Sequence, residues 1–209
     1  MIKLRLSCLL LVLFLVAGTL PLGAQATELN YDHRVPGDRS LTIQFGPTFP
    51  QGFQSFDGKL SSSNLIGANM WGIAVGGNLG IDLDFYLTDS FRLGGGLRGM
   101  AALGPNDYTL FIVPITFRAS WEFKLYPFSF PVGLGAGFSF VNYQSQTSFS
   151  PTLAPTVGAY WNMSSSWSFG LGATEWIIFQ PYFAGGSVPP SDSRIGYFSD
   201  VTLGAIYHF

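Results

Sequence analysis

The sequence predicts an all-β protein: an up-and-down antiparallel transmembrane β-barrel of eight strands over residues 40–209, behind a cleaved signal peptide (1–26) and a short tail (27–39). Three observations carry this. Hydrophobic residues make up 47% of the chain and charged ones only 11%, where soluble domains carry about a quarter charged. After the signal, no apolar run reaches the roughly 20 residues of a membrane helix. Apolar residues instead recur at every second position, the period of a strand. A closed barrel fits all three, because lipid offers no water to an unpaired backbone group. A soluble β-sandwich with an aromatic core is the rival reading.

Lys3 and Arg5 precede an apolar stretch from Leu6 to Leu20, and Ala24-Gln25-Ala26 supplies the small residues of a cleavage site. That stretch ends at Pro21, short of a spanning anchor, so cleavage is expected after Ala26. The only cysteine, Cys8, lies inside it, which leaves the mature chain without a thiol, disulfide or thiolate metal site. The whole-chain charge of −2 includes Lys3 and Arg5, and without them it is −4. Nucleic acid is not an expected partner, since nothing here makes a basic face.

In the first strand, from Ser40, Leu41, Ile43, Phe45 and Phe49 share one face, and Thr42, Gln44 and Thr48 the other. A polar stretch from Pro50 to Asn69 reads as a loop. Trp71, Ile73, Val75, Leu79, Ile81, Leu83, Phe85 and Leu87 then alternate with Asn78, Asp82, Asp84, Tyr86 and several glycines. Thr88-Asp89-Ser90 is a tight turn. Strand three points Phe91, Leu93, Leu97 and Leu103 outward against Arg92, Arg98 and Met100, and ends at the turn signal Gly104-Pro105-Asn106-Asp107.

Strand four sets Phe111, Val113, Ile115, Phe117, Trp121 and Phe123 against Thr116, Arg118, Ser120 and Glu122. A connection from Lys124 to Phe130 precedes strand five, where Val132, Leu134, Ala136, Phe138 and Phe140 alternate with glycines and Ser139. After a polar loop near Gln144 to Ser150, strand six turns Leu153, Val157, Ala159, Trp161 and Met163 outward. Ser164-Ser165-Ser166 leads into strand seven, with Trp167, Phe169, Leu171, Ala173, Ile177 and Phe179 outward. A long loop from Gln180 to Gly196 precedes strand eight, whose outward residues are Val201, Leu203, Ala205, Tyr207 and Phe209. Short turns at Thr88, Lys124 and Ser164 would face the periplasm, with both termini there and the long loops outside. Aromatic residues gather near the expected strand ends, as interfacial rings do.

The terminal Phe209, with Tyr207 two positions earlier on an amphipathic last strand, and Thr88-Asp89 between two such strands resemble small bacterial outer-membrane barrels of the OmpW, OmpX and OmpA transmembrane-domain superfamily. The resemblance covers Ser40 to Phe209 and speaks to architecture more than activity. It implies residence in outer-membrane lipid and an assembly signal at Tyr207 and Phe209 read by the barrel-assembly machinery. It also implies passage of small hydrophobic solutes, as in OmpW-like barrels. A peptidoglycan-binding domain is not expected after Phe209.

An eight-stranded barrel is just wide enough for side chains to fill it. Register across the Thr88 turn sets Tyr86 opposite Arg92, Asp84 opposite Gly94 and Asp82 opposite Gly96, with diagonal pairs Asp84–Arg92 and Asp82–Arg98. With Arg118, Glu122 and Asp200, which also point inward together with His208, these make an interior charge network, either a structural plug or a gated polar path. Toward the outer end the inward residues are apolar: Met100, Leu110, Ile112, Val141, Trp176, Ile178 and Phe198. They form an apolar cup for a small hydrophobic ligand, or the ordinary filling of a narrow barrel. Glu175 falls on the outward face, reaching headgroups or marking a bulge.

Catalysis, cofactors and metals are not expected. Gly94-Gly95-Gly96-Leu97-Arg98-Gly99 has a nucleotide-binding spacing but no following helix. His208 and His33 sit at the wrong depth for a barrel lipase. The leading expectation is a structural barrel or a narrow route for small hydrophobic solutes. The alternative is an adhesin or host-interaction barrel acting through the loops Phe53–Asn64 and Tyr182–Asp192.

Overall fold

Alternation of apolar and small polar residues leaves a strand with one greasy and one wet face, and an antiparallel set of such strands satisfies its backbone only by closing. The computed structural model describes residues 34–55, 75–103, 108–143, 146–181 and 193–209, all within one compact unit, Tyr31–Phe209. Its strands are β1 (Arg39–Ser55), β2 (Gly76–Tyr86), β3 (Phe91–Leu103), β4 (Thr109–Leu125), β5 (Phe128–Tyr143), β6 (Gln146–Asn162), β7 (Trp167–Gln180) and β8 (Arg194–His208). Each pairs antiparallel with the next and β8 returns to β1, a closed eight-stranded barrel. Their lengths, 11 to 17 residues, suffice for the roughly 9 to 11 that a tilted strand needs to cross a bilayer.

Side-chain direction follows the expected parity throughout. On β2 the even-numbered residues Asn78 to Tyr86 are buried and the odd-numbered Leu79 to Phe85 exposed. On β4 Phe117 is 81% exposed while Thr116 and Ser120 are buried. The register across the first turn is the expected one, with Tyr86 opposite Arg92, Asp84 opposite Gly94 and Asp82 opposite Gly96.

Two of the short turns share one device. Thr88 Oγ1 accepts from the backbone N–H groups of Ser90 (3.3 Å) and Phe91 (2.9 Å). Ser164 Oγ accepts in the same way from Ser166 (3.3 Å) and Trp167 (3.0 Å). A hydroxyl at the first turn position thus does what a backbone carbonyl would, and fixes the hairpin register. These turns, with Tyr126–Pro127 (a cis peptide) and residues 34 and 209, mark one end of the barrel, called the turn end below.

Three boundaries differ from expectation. β1 does not stop before Pro50; it continues to Ser55 along β8, with the register shifting between Pro50 and Gly52. Proline gives no N–H to a ladder and is tolerated where pairing is irregular, so it marks a shift here and not an end. The connection expected over Lys124 to Phe130 shrinks to two residues, because Leu125 already pairs with Phe128. The polar loop expected at Gln144 to Ser150 is mostly strand: β6 begins at Gln146, and Phe149 lies 4.6 Å from Phe138 in a stacked pair on the outer surface. Ser148 and Ser150, which look like loop residues, are the inward half of a strand in a barrel with a polar lumen.

The expected signal peptide, the tail before Arg34, Trp71 and Ile73, the turn expected at 104–107, most of the expected loop Phe53–Asn64 and all of Tyr182–Asp192 lie outside the described residues.

Candidate functional site

Inward positions of β2, β3 and β4 place carboxylates and guanidinium groups at neighbouring heights. Tyr86 donates to Glu122 (2.9 Å), Arg92 lies 3.6 Å from Asp84 and 3.7 Å from Glu122, and Arg118 donates to Asp82 (3.0 Å) and to both oxygens of Asp84 (3.0 and 2.9 Å). Arg118 on β4 reaches β2 because β3 carries Gly94, opposite Arg118, and Gly96, opposite Thr116. A Cβ at either glycine would collide with the Asp84 or the Asp82 carboxylate. The run Gly94-Gly95-Gly96 is therefore a gap that lets ion pairs form across a strand.

The expected pair Asp84–Arg92 forms, and Asp82–Arg98 does not. Asp82 is held by Arg118 and by the Gln44 amide, whereas Arg98 crosses the lumen to Asp200 on β8 (3.0 Å). Opposite Arg98 stands Gly80, which offers no side-chain acceptor. Asp200 also accepts from Thr48 Oγ1 (2.6 Å) and Trp176 Nε1 (2.8 Å), and the Arg98 guanidinium lies 5.1 Å from the Trp176 ring centre. With an entirely buried side chain, Asp200 is satisfied by three donors, as a buried charge requires. The seven charged residues expected inside thus pair in two sets, Asp82, Asp84, Arg92, Arg118 and Glu122 among β2, β3 and β4, and Arg98 with Asp200 from β3 to β8.

Between Gln44, Asp82, Arg92, Arg118, Tyr160 and Thr174 lies a cavity of about 30 Å³, room for roughly two water molecules. Sequence reasoning missed several of the partners here. Tyr160 lies across glycines 158, 172 and 204, where added Cβ atoms would press on its ring or hydroxyl. Gln44, Thr48 and Asn78 complete the network from β1 and β2. Ser168 and His208 also meet (3.1 Å), but the serine hydroxyl donates to Asn162 (2.7 Å) and so faces the imidazole as an acceptor. Inward parity exposes all of these as candidates; which of them touch depends on side-chain reach. Among the described residues, no group of three or more His, Cys, Asp or Glu could hold a metal ion.

Beyond Asp200, toward the end opposite the turns, the interior changes chemistry. Met100, Leu110, Ile112, Val141, Trp176, Ile178 and Phe198 form one apolar cluster with Ala102 and Ala154. The β7–β8 register runs unbroken from Trp167–Tyr207 to Gln180–Arg194, so no bulge turns Trp176 or Ile178 outward, and Phe198 stands opposite Trp176. The seven residues are at most 7% exposed, which makes the cluster packed and not an open hollow. Glu175 does face outward, without a bulge, and accepts from Ser199 Oγ. At the turn end, Tyr207 lies between Trp167 (4.9 Å, tilted) and Phe209 (5.8 Å, stacked) on the outer surface.

A protein-family model matches residues 23–207. An uncharacterized protein of Treponema pallidum (strain Nichols) is 25% identical over 136 residues, which are 64% of this chain and 59% of that relative's length. Among solved structures, Neisserial surface protein A is similar with a TM-score of 0.53 at 14% identity, over 83% of this chain and 97% of its own. The outer membrane protein OprG of Pseudomonas aeruginosa is similar with a TM-score of 0.51 at 14% identity, over 86% of this chain and 98% of its own. The chain belongs to the family whose model spans residues 23–207, and it is a small eight-stranded β-barrel of the outer-membrane type.

Proposed function

We propose that this protein is a non-conducting barrel of the bacterial outer membrane, with its turn end in the periplasm and its lumen closed to water and ions. The observation that carries the reading is that Arg92, Arg98 and Arg118 are each paired with carboxylates inside the lumen, Arg98 and Arg118 reaching past intervening strands to do so, with a two-water cavity beside Arg92 and Arg118. An ion entering would have to displace paired, desolvated charges, which costs several kcal/mol per broken pair. Planar-bilayer recordings of the refolded protein test it: the expected trace is flat, and discrete conductance steps from the intact chain refute the reading.

A second reading is favoured by the apolar cluster, namely that a small hydrophobic solute arriving from outside docks against Trp176 and Phe198. Packing is already dense there, so a ligand would have to displace Met100 or Ile178, and Met is the side chain that repacks most readily. Trp121, Trp161 and Trp167 face outward and report only the lipid side. A saturable fluorescence change lost in Trp176→Phe supports docking; a change that survives that substitution rejects it.

A further inference from the structure

The chain does not simply run into β1. Val35-Pro36-Gly37-Asp38 is a reverse turn, closed by Asp38 N–H to the Val35 carbonyl (3.1 Å) and tightened by Val35 N–H to the Asp38 carboxylate (3.0 Å). Proline at the second position and glycine at the third, with a φ of +101°, are the residues a type II turn demands. Two backbone bonds, Gly37 N–H to Tyr86 O and Tyr86 N–H to Asp38 O (both 2.9 Å), dock the turn on the end of β2. Arg34 is thereby thrown back over the lumen instead of away from it.

What Arg34 meets is specific. Its backbone N–H donates to Asp89 Oδ1 (2.9 Å) in the β2–β3 turn, and its Nη1 donates to the Ser165 carbonyl (2.9 Å) in the β6–β7 turn. Those turns are four strands apart in a ring of eight, so they face each other across the mouth. Lys124, from the end of β4, closes on the same Asp89 oxygen (2.6 Å). Arg34 is only 8% exposed although it precedes the first strand, whereas neighbouring Val35 is 59% exposed. A trailing segment would not bury a guanidinium and commit two donors to opposite walls.

We infer that residues 34–38 are a built lid over the turn-end mouth, and that Arg34 is its latch, bridging the β2–β3 and β6–β7 turns and shutting the polar lumen off from water at that end. The lid is independent of the charge network, which lies deeper and would still block ions with the lid open. Its signature is access, not conductance.

Ser40 offers the reporter, since it is fully buried, points inward just past the lid, and its hydroxyl makes no hydrogen bond that a thiol would forfeit. In the refolded full chain carrying Cys8→Ser and Ser40→Cys, labelling by a small charged methanethiosulfonate should be slow beside an exposed Val35→Cys control. Adding Arg34→Ala, or separately Asp89→Ala, should speed it on the order of tenfold, as loss of one hydrogen bond does to a local opening equilibrium. The heat-dependent gel shift of a closed barrel should persist. Equal labelling with and without either substitution overturns the lid. So does fast labelling of Ser40→Cys at the outset, or loss of the folded barrel in the variants, which would make Arg34 a core element of the fold.

Discussion

Gly96 on β3 stands directly opposite Asp82 on β2, and the missing side chain is the space the Asp82 carboxylate occupies on its way to Arg118. The structure makes this glycine a condition of the ion pair.

Gly96→Ala should therefore displace the Asp82 carboxylate, with a loss bounded by the 3 to 5 kcal/mol typical of a broken buried pair, about the full figure if no water enters. Gly95→Ala, on the outer face with nothing nearer than 3.6 Å, should stay within about 0.5 kcal/mol of wild type. Urea unfolding in detergent of the two neighbours makes the comparison. Similar losses at both positions would contradict the interior role of Gly96.

Arg98 and Asp200 are partners, 3.0 Å apart, so a double-mutant cycle on Arg98→Met and Asp200→Asn should give a coupling of about 0.5 to 3 kcal/mol. The cycle on Arg98→Met and Asp82→Asn should be closer to additive. Stronger coupling to Asp82 would mean that Arg98 pairs with the strand beside it, as local register alone suggests.

Phe209 contributes two things that separate cleanly. Its backbone closes the β8–β1 seam, with N–H to Arg39 O (3.0 Å) and O from Arg39 N–H (2.9 Å), while its ring is 55% exposed. Phe209→Ala keeps both backbone bonds, so detergent stability should change by less than about 1 kcal/mol. Membrane insertion in cells should fall several-fold if the ring is an assembly signal. Undiminished insertion, measured by membrane fractionation, would remove that role.

Strand number, face assignment and most of the site residues were legible in the sequence because a period of two survives any local detail: Asp82, Asp84, Arg92 and Arg98 had to point inward once β2 and β3 alternated. Partner choice was not legible. An arginine reaches past two strands, so nearest-diagonal reasoning found Asp84 for Arg92 but missed Asp200 for Arg98. Strand ends were misjudged at Pro50, Phe128 and Gln146 for a different reason, since proline and polar clusters mean loop in water and interior in a barrel. The tail before β1 drew no structural expectation, although Pro36-Gly37 spelled out its turn.

A ring of strands can flatten into an ellipse with little change to its hydrogen bonds, because each ladder only hinges. The lumen of this barrel opposes that. Arg98 runs from β3 to β8 and Arg118 from β4 to β2, so two chords of different direction cross the section. A chord resists both stretching and shortening, and each of the two removes one of the deformations that hinges alone leave free. Lateral pressure in the surrounding bilayer would then meet a cross-braced tube whose roundness is set from within.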